Sequence, residues 1–277
     1  MKVLETIAEF RRIRTTLPEP LGFVPTMGYL HEGHLSLVRR ARAENASVAV
    51  SIFVNPTQFS PSEDLDSYPR DMEGDLSLLK KENVDVVFAP PADEMYPPVF
   101  SSCVEVDKLT RRLEGASRPG HFTGVTTVVT KLFNIVQPTR VYFGQKDAQQ
   151  AIVIKKMVAD LDMNLEVVVL PTVREEDGLA LSSRNSYLNH DERQAAPVLY
   201  RALMLAQGFW SQGERDAGKL RNQMAKLIGK EPLATIDYIS ISDNDTLEEL
   251  KEIKPPALVS LAVKIGKTRL IDNVVLE

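Results

Sequence analysis

The chain has 277 residues, of which 43% are hydrophobic, 26% charged and 6% aromatic, the composition of an ordinary soluble globular protein. That length exceeds the usual single-domain size and leaves one large domain or two unequal ones. With 33 Lys plus Arg against 38 Asp plus Glu, the net charge of -5 argues against a dedicated nucleic-acid binder, and Cys103, the only cysteine, excludes an intrachain disulfide or a multi-cysteine metal site.

The first residues carry Glu5 and Glu9 where a signal peptide needs an unbroken apolar run. No stretch approaches the ~18 apolar residues of a membrane span, so a cytoplasmic protein with no membrane partner is expected. Short runs rich in Val, Ile and Phe follow at 22–25, 48–54, 85–89, 140–143 and 166–170. They do not alternate with polar residues, which suits parallel strands covered on both faces. Between them, Val125, Val128, Val129, Leu132, Phe133 and Val136 keep a helical spacing, and Pro138 follows where that helix has to stop. Ala151, Ile154, Val158 and Leu161 predict another helix. The β-α-β alternation predicts an α/β fold, a doubly wound parallel sheet of Rossmann-like type with right-handed crossovers.

The texture changes after Pro171. Helical patterns at Ala195, Val198, Leu199, Ala202 and Ala206, and at Leu220, Met224, Leu227 and Ile228, run one after the other. Strand-like runs then come at 235–241, 257–265 and 269–275. Helices followed by strands read as a smaller α+β domain. The expected organisation is a nucleotide-binding domain over 1–171 and a C-terminal cap over 172–277.

Of four histidines, His31 and His34 lie in one segment, after the first predicted strand: Thr26, Met27, Gly28, Tyr29, Leu30, His31, Glu32, Gly33, His34. It reads as strand, turn and helix start, the place where an open α/β sheet binds ligands and where exposed N–H groups favour anions. Two residues three apart share a helix face, so both imidazoles can donate to phosphate oxygens while Gly33 lets a ligand come close. An isolated H-x-x-H is more often one histidine that caps or packs and one that is solvated, because short motifs match by chance. A zinc pair would need a third protein ligand, and no cysteine cluster or H-E-x-x-H is present.

Three further segments carry chemistry. Gly144, Gln145, Lys146 and Asp147 follow an apolar run, so Lys146 emerges at a strand's carboxyl end, where it is a point charge for phosphate or a solvated helix-start lysine. Gln58 and Gln150 are neutral amides that suit a hydroxy acid, or else face water. Leu181, Ser182, Ser183 and Arg184 offer two hydroxyls and a planar cation, a short-range phosphate set or a surface turn.

In combination, residues 23–28 with His31-Glu32-Gly33-His34 resemble the H-x-G-H nucleotidyltransferase superfamily. Adding Phe53-Val54-Asn55-Pro56-Thr57-Gln58, residues 143–150 and Leu181-Ser182-Ser183-Arg184-Asn185 makes the chain similar, over nearly its whole length, to the pantoate–β-alanine ligases, the pantothenate synthetases. The resemblance implies a ligase that activates pantoate with MgATP as pantoyl adenylate and transfers the acyl group to β-alanine. It implies ATP contacts at Thr26 to His34, Gly144 to Asp147, Val173 and Leu181 to Arg184, with His31, His34 and Lys146 catalytic. It assigns Gln58 and Gln150 to pantoate, with Gln58 also near β-alanine, requires Mg²⁺ without naming its ligands, and adds a homodimer. The smaller domain is the expected lid over a water-sensitive adenylate. His121 in Arg118-Pro119-Gly120-His121 is a secondary candidate, as pocket wall or helix cap. Tyr68, Arg70, Glu73 and Asp75 could order the pocket or Mg²⁺, although a solvated helix face is the expectation for the two acids. Two rival readings are a transferase that keeps the nucleotide on its product and a non-catalytic nucleotide-binding module.

Overall fold

The computed structural model describes residues 1–60 and 64–277. The chain divides into two units, Met1–Gly144 with Val153–Pro171, and Gln145–Ile152 with Thr172–Glu277. The first unit is built on six parallel strands: β1 (Lys2–Leu4), β2 (Leu21–Thr26), β3 (Ser47–Ile52), β4 (Val86–Phe88), β5 (Arg140–Gly144) and β6 (Glu166–Leu170). Their order is β1-β4-β3-β2-β5-β6. Every residue of β3 and β4 is buried, as uninterrupted apolar runs require when helices cover both sheet faces. β1 was not expected; a three-residue edge strand is too short to show a period.

The helices of this unit are α1 (Ile7–Arg14), α2 (Glu32–Glu44), α3 (Met72–Lys81), α4 (Ala92–Met95), α5 (Glu114–Ser117) and α6 (His121–Val136). α7 (Ala148–Asp160) follows β5. Leu37, Val38 and Ala41 of α2 and Leu79 of α3 pack with Val24, Val48, Val50 and Val87 of the strands. Phe88 of β4 meets Phe10 of α1 edge to face at 5.2 Å. α6 stops where Gln137 turns left-handed, one residue before Pro138.

The order reverses at β2, whose successor β3 lies on one side and β5 on the other. β2 and β5 are in register only at Gly22 with Arg140 and Phe23 with Val141. β2 therefore continues through Thr26 without β5 alongside. A crevice beyond strand carboxyl ends at such a switch point is where open α/β sheets take ligands.

The second unit carries α8 (His190–Ala195), α9 (Val198–Ser211) and α10 (Ala217–Ile228), then an antiparallel sheet of β7 (Ala234–Asp243), β8 (Ala257–Ile265) and β9 (Thr268–Leu276). Leu199 and Leu203 of α9 and Leu220 and Met224 of α10 close over Val259, Leu261 and Val263 of β8. The apolar spacing from Ala195 to Ala206 suggested one helix. The structure breaks it, because Pro197 has no N–H to continue the ladder and instead caps α9.

Candidate active site

After β2 the backbone makes a turn that only a special set of residues allows. Gly28 and Tyr29 both have positive φ, +81° and +52°. A Cβ on Gly28 would also stand 3.0 Å from an Asp75 oxygen and from Ile52, so glycine is required on two counts. Thr26 Oγ1 donates to the Ser51 carbonyl at 2.7 Å and accepts from Gly28 N–H at 3.2 Å. Asp75 of α3 accepts from Tyr29 N–H at 2.8 Å and Leu30 N–H at 2.7 Å, one with each oxygen. Asp75 is 3% exposed. Burial pushes its carboxyl above the ordinary range, against the two N–H donors that favour the charged form. A solvated helix face was the expectation for Asp75, and the structure corrects it: the helix turns this position inward, onto the turn. Glu73 of the same helix is exposed.

The turn delivers His31 to the N-cap of α2. His31 Nδ1 accepts from Gly33 N–H at 3.2 Å, and His34 Nδ1 accepts from His31 N–H at 3.3 Å. Two imidazoles thus form a reciprocal capping box, a role usually held by a hydroxyl and a carboxylate. The rings lie 4.1 Å apart at 37°. Each Nδ1 accepts from the backbone, and an imidazole that accepts at Nδ1 carries its N–H at Nε2, an assignment that follows from the hydrogen bonds. Both imidazoles thus stand at the positive end of the α2 dipole.

Gln58 closes a single helical turn, Pro56–Gln58. Its side-chain amide donates to Met27 Sδ at 3.1 Å and accepts from Asn55 Nδ2 at 3.1 Å. The structure thus brings Gln58 against the turn that carries the histidines. Asn55 is 2% exposed and also donates to the Gly124 carbonyl at 3.1 Å. The Gln58 carbonyl accepts from His121 Nδ1 at 2.8 Å and from Arg118 at 3.4 Å. A Cβ on Gly124 would fall 2.4 Å from the Thr57 carbonyl oxygen and 2.7 Å from Gln58 N, so α6 approaches this turn as closely as backbone permits. Asn55 and the grip of His121 on Gln58 were not legible as functions; Asn55-Pro56 signals a turn but not what the turn holds.

In the second unit, Gln145, Lys146 and Asp147 form one turn at the head of α7. Lys146 Nζ lies 3.4 Å from Asp147 Oδ1, with its side chain 20% exposed. Gln150 is half-buried on α7. Leu181 N–H donates to the Val173 carbonyl at 3.0 Å, closing a hairpin just before Ser182. Ser182 Oγ caps the short turn Ser183–Tyr187 by accepting from Arg184 N–H at 3.3 Å, and Ser183 is buried.

Comparison with known proteins covers the whole chain. A family model described as pantoate-beta-alanine ligase matches residues 2–275. The curated pantothenate synthetase of Roseiflexus castenholzii is 60% identical over 277 residues, all of both chains. That of Thermotoga petrophila is 56% identical over 279 aligned positions, again all of both. The crystal structure of pantothenate synthetase from Thermus thermophilus superposes with a TM-score of 0.95 at 50% identity, covering 99% of each chain. The Francisella tularensis pantoate-beta-alanine ligase, complexed with beta-gamma ATP and beta-alanine, gives a TM-score of 0.82 at 38% identity, covering 99% of this chain and 97% of that one.

Proposed function

The chain belongs to the pantoate–β-alanine ligase family, and from that premise we propose how its residues carry out the reaction. It is an ATP-dependent ligase that forms the amide bond of pantothenate from (R)-pantoate and β-alanine. In the first step a pantoate carboxylate oxygen attacks the α-phosphorus of ATP. The new P–O bond forms as the bond to the pyrophosphate oxygen breaks, leaving pantoyl adenylate. In the second, the β-alanine nitrogen attacks the activated carbonyl, AMP leaves with the C–O bond electrons, and the nitrogen gives up a proton. The attacking carboxylate is already a nucleophile, so no serine or cysteine is required. Catalysis consists of positioning and charge stabilisation.

The observation that carries this reading is the reciprocal imidazole cap. With each Nδ1 committed to a backbone N–H, the rings of His31 and His34 are fixed in orientation, and their Nε2–H groups are the donors to phosphate oxygens. Lys146 supplies a full positive charge to the phosphates, and Ser182, Ser183 and Arg184 bind the same groups. A Cβ at Gly144 would meet nothing within 4 Å, so that end of β5 leaves room for a ligand. Gln58 and Gln150 pair with the hydroxyls and carboxylate of pantoate. An analogue lacking the hydroxyls leaves such an amide unpaired, at a cost of about 1–3 kcal/mol.

Among the described residues no group of three or more His, Cys, Asp or Glu could hold a metal ion. Asp75 has both oxygens engaged by backbone N–H groups. Mg²⁺ would come with the nucleotide's phosphates and would supply charge neutralisation there. Assembly as a homodimer and a cytoplasmic location belong to the same reading; among the described residues no helix is long and apolar enough to cross a membrane.

Pantoate-dependent exchange of labelled pyrophosphate into ATP is the test. Wild type exchanges, and His34→Ala or Lys146→Ala slows single-turnover adenylate formation by ~10²–10³-fold. Near-wild-type rates overturn these roles. Absence of exchange, or a product that keeps the nucleotide, overturns the two-step route.

A further inference from the structure

The Lys146 ammonium pairs with Asp147 on its own turn, yet a phosphate-facing ammonium acts only if its backbone is held still. The holding contacts come from the far end of the chain. Asn273 on β9 is 3% exposed. Its Nδ2 donates to the carbonyls of Gln145 and Lys146, both at 2.9 Å, and its Oδ1 accepts from Gln145 Nε2 at 3.0 Å. Both amide hydrogens and the oxygen of one buried side chain are thus spent on the Lys146 turn.

The neighbouring residue extends the connection. Asp272 is 3% exposed, accepts from Asn273 N–H at 2.7 Å, and is bound by both terminal nitrogens of Arg174 at 2.6 and 2.9 Å. Arg174 also donates to the Gly178 carbonyl at 3.0 Å and lies over the Tyr200 ring at 4.7 Å. Gly178, at φ +90°, has no room for a Cβ against Tyr200. Arg174 and Ala180 pair across the hairpin that ends at Leu181. Two consecutive residues of one strand therefore hold both segments to which phosphate contacts are assigned: Asn273 holds the Lys146 turn, and Asp272, through Arg174, holds the hairpin leading into Ser182, Ser183 and Arg184.

We propose that Asn273, supported by the Asp272–Arg174 pair, is a positioning residue for adenylation that acts through Lys146. This rests on the ligase reading and on the role given there to Lys146. A carboxamide is the side chain that meets the requirement: it donates twice to carbonyls and accepts once while carrying no charge into a buried place. A lysine turn displaced by about 1 Å can lose on the order of 10²-fold in rate.

The test is a double-mutant cycle in the pyrophosphate exchange assay, with thermal unfolding run on each protein. Asn273→Ala is expected to lower exchange at saturating substrates by ~10–10²-fold and to raise the KM for ATP, with the KM for pantoate within about twofold. Asn273→Ser keeps one donor, perturbs folding less, and should give an intermediate loss. In the Lys146→Ala background the same substitutions should cost less than about threefold more, because residues acting through one group are not additive. Equal losses in both backgrounds, or full activity in both Asn273 variants, overturn the proposal. If wild type shows no pantoate-dependent exchange, the ligase reading fails instead, which no Asn273 result can mimic.

Discussion

The two turns to which phosphate contacts are assigned are held in opposite ways. In the first unit a buried carboxylate, Asp75, accepts from the N–H groups of Tyr29 and Leu30. In the second a buried carboxamide, Asn273, donates to the carbonyls of Gln145 and Lys146. The backbone orientation decides the difference. Both turns lead into helices, but the one before His31 aims the N–H groups of Tyr29 and Leu30 at its anchor, whereas the one before α7 aims the carbonyls of Gln145 and Lys146. One consequence is that the first anchor titrates and the second does not. Another is that the histidine turn depends on an ionisable group whose desolvation opposes its charge, while the lysine turn depends on a neutral amide.

The largest way to break this contrast is Asp75→Ala. It removes the acceptor of two half-buried N–H groups, each at up to about 1–3 kcal/mol. Thermal unfolding should show a midpoint several degrees lower, and pyrophosphate exchange should collapse because His31 loses its entry turn. An unchanged midpoint would show that the carboxylate does not hold the turn. Gly124→Ala is expected to come next, costing about 1–3 kcal/mol because its Cβ meets backbone that cannot easily move. Its kinetic mark is a raised KM for pantoate with the KM for ATP little changed, since the displaced residue is Gln58. The reverse pattern would detach Gln58 from pantoate.

The smallest effect is the most diagnostic. Burial raises the Asp75 carboxyl above its ordinary value, so between the unfolded and folded values the native state holds more protons than the unfolded chain. Wild-type stability measured against Asp75→Asn should therefore fall as pH rises across that window and level off above it, by about 1.4 kcal/mol for each unit of the rise. Urea unfolding of both proteins at several pH values reads this difference. A flat difference would show that Asp75 does not titrate with folding, and the contrast between the two anchors would reduce to geometry.

Local pattern carried much of this molecule. The apolar runs at 166–170 and 257–265 are β6 and β8 to the residue, and the spacing from Val125 to Val136 is the body of α6. Such features depend on periodicity and on Pro138, which act over a few residues. That both histidines stand at the start of α2 was legible for the same reason; that both rings cap it was not, because the alternative expected was one capping or packing histidine and one solvated. The inward face of Asp75 was not legible, because periodicity over a short, charged helix does not say what lies beneath it. Nor was the grip of Asn55, Arg118 and His121 on the Gln58 turn, which spans up to 69 positions in the chain.

The amino-acid sequence by itself determined the alternation of elements, the parallel sheet followed by a separate α+β region, and the residue types available for phosphate and hydroxy-acid chemistry. The tertiary structure decided which backbone groups those residues spend themselves on. It turned the two Nδ1 atoms to the helix start. It assigned a carboxylate to one turn and, from 127 positions away, a carboxamide to the other. The physical reason is that a buried backbone N–H or carbonyl has to find a partner wherever the fold brings one, and chain separation carries no information about that choice.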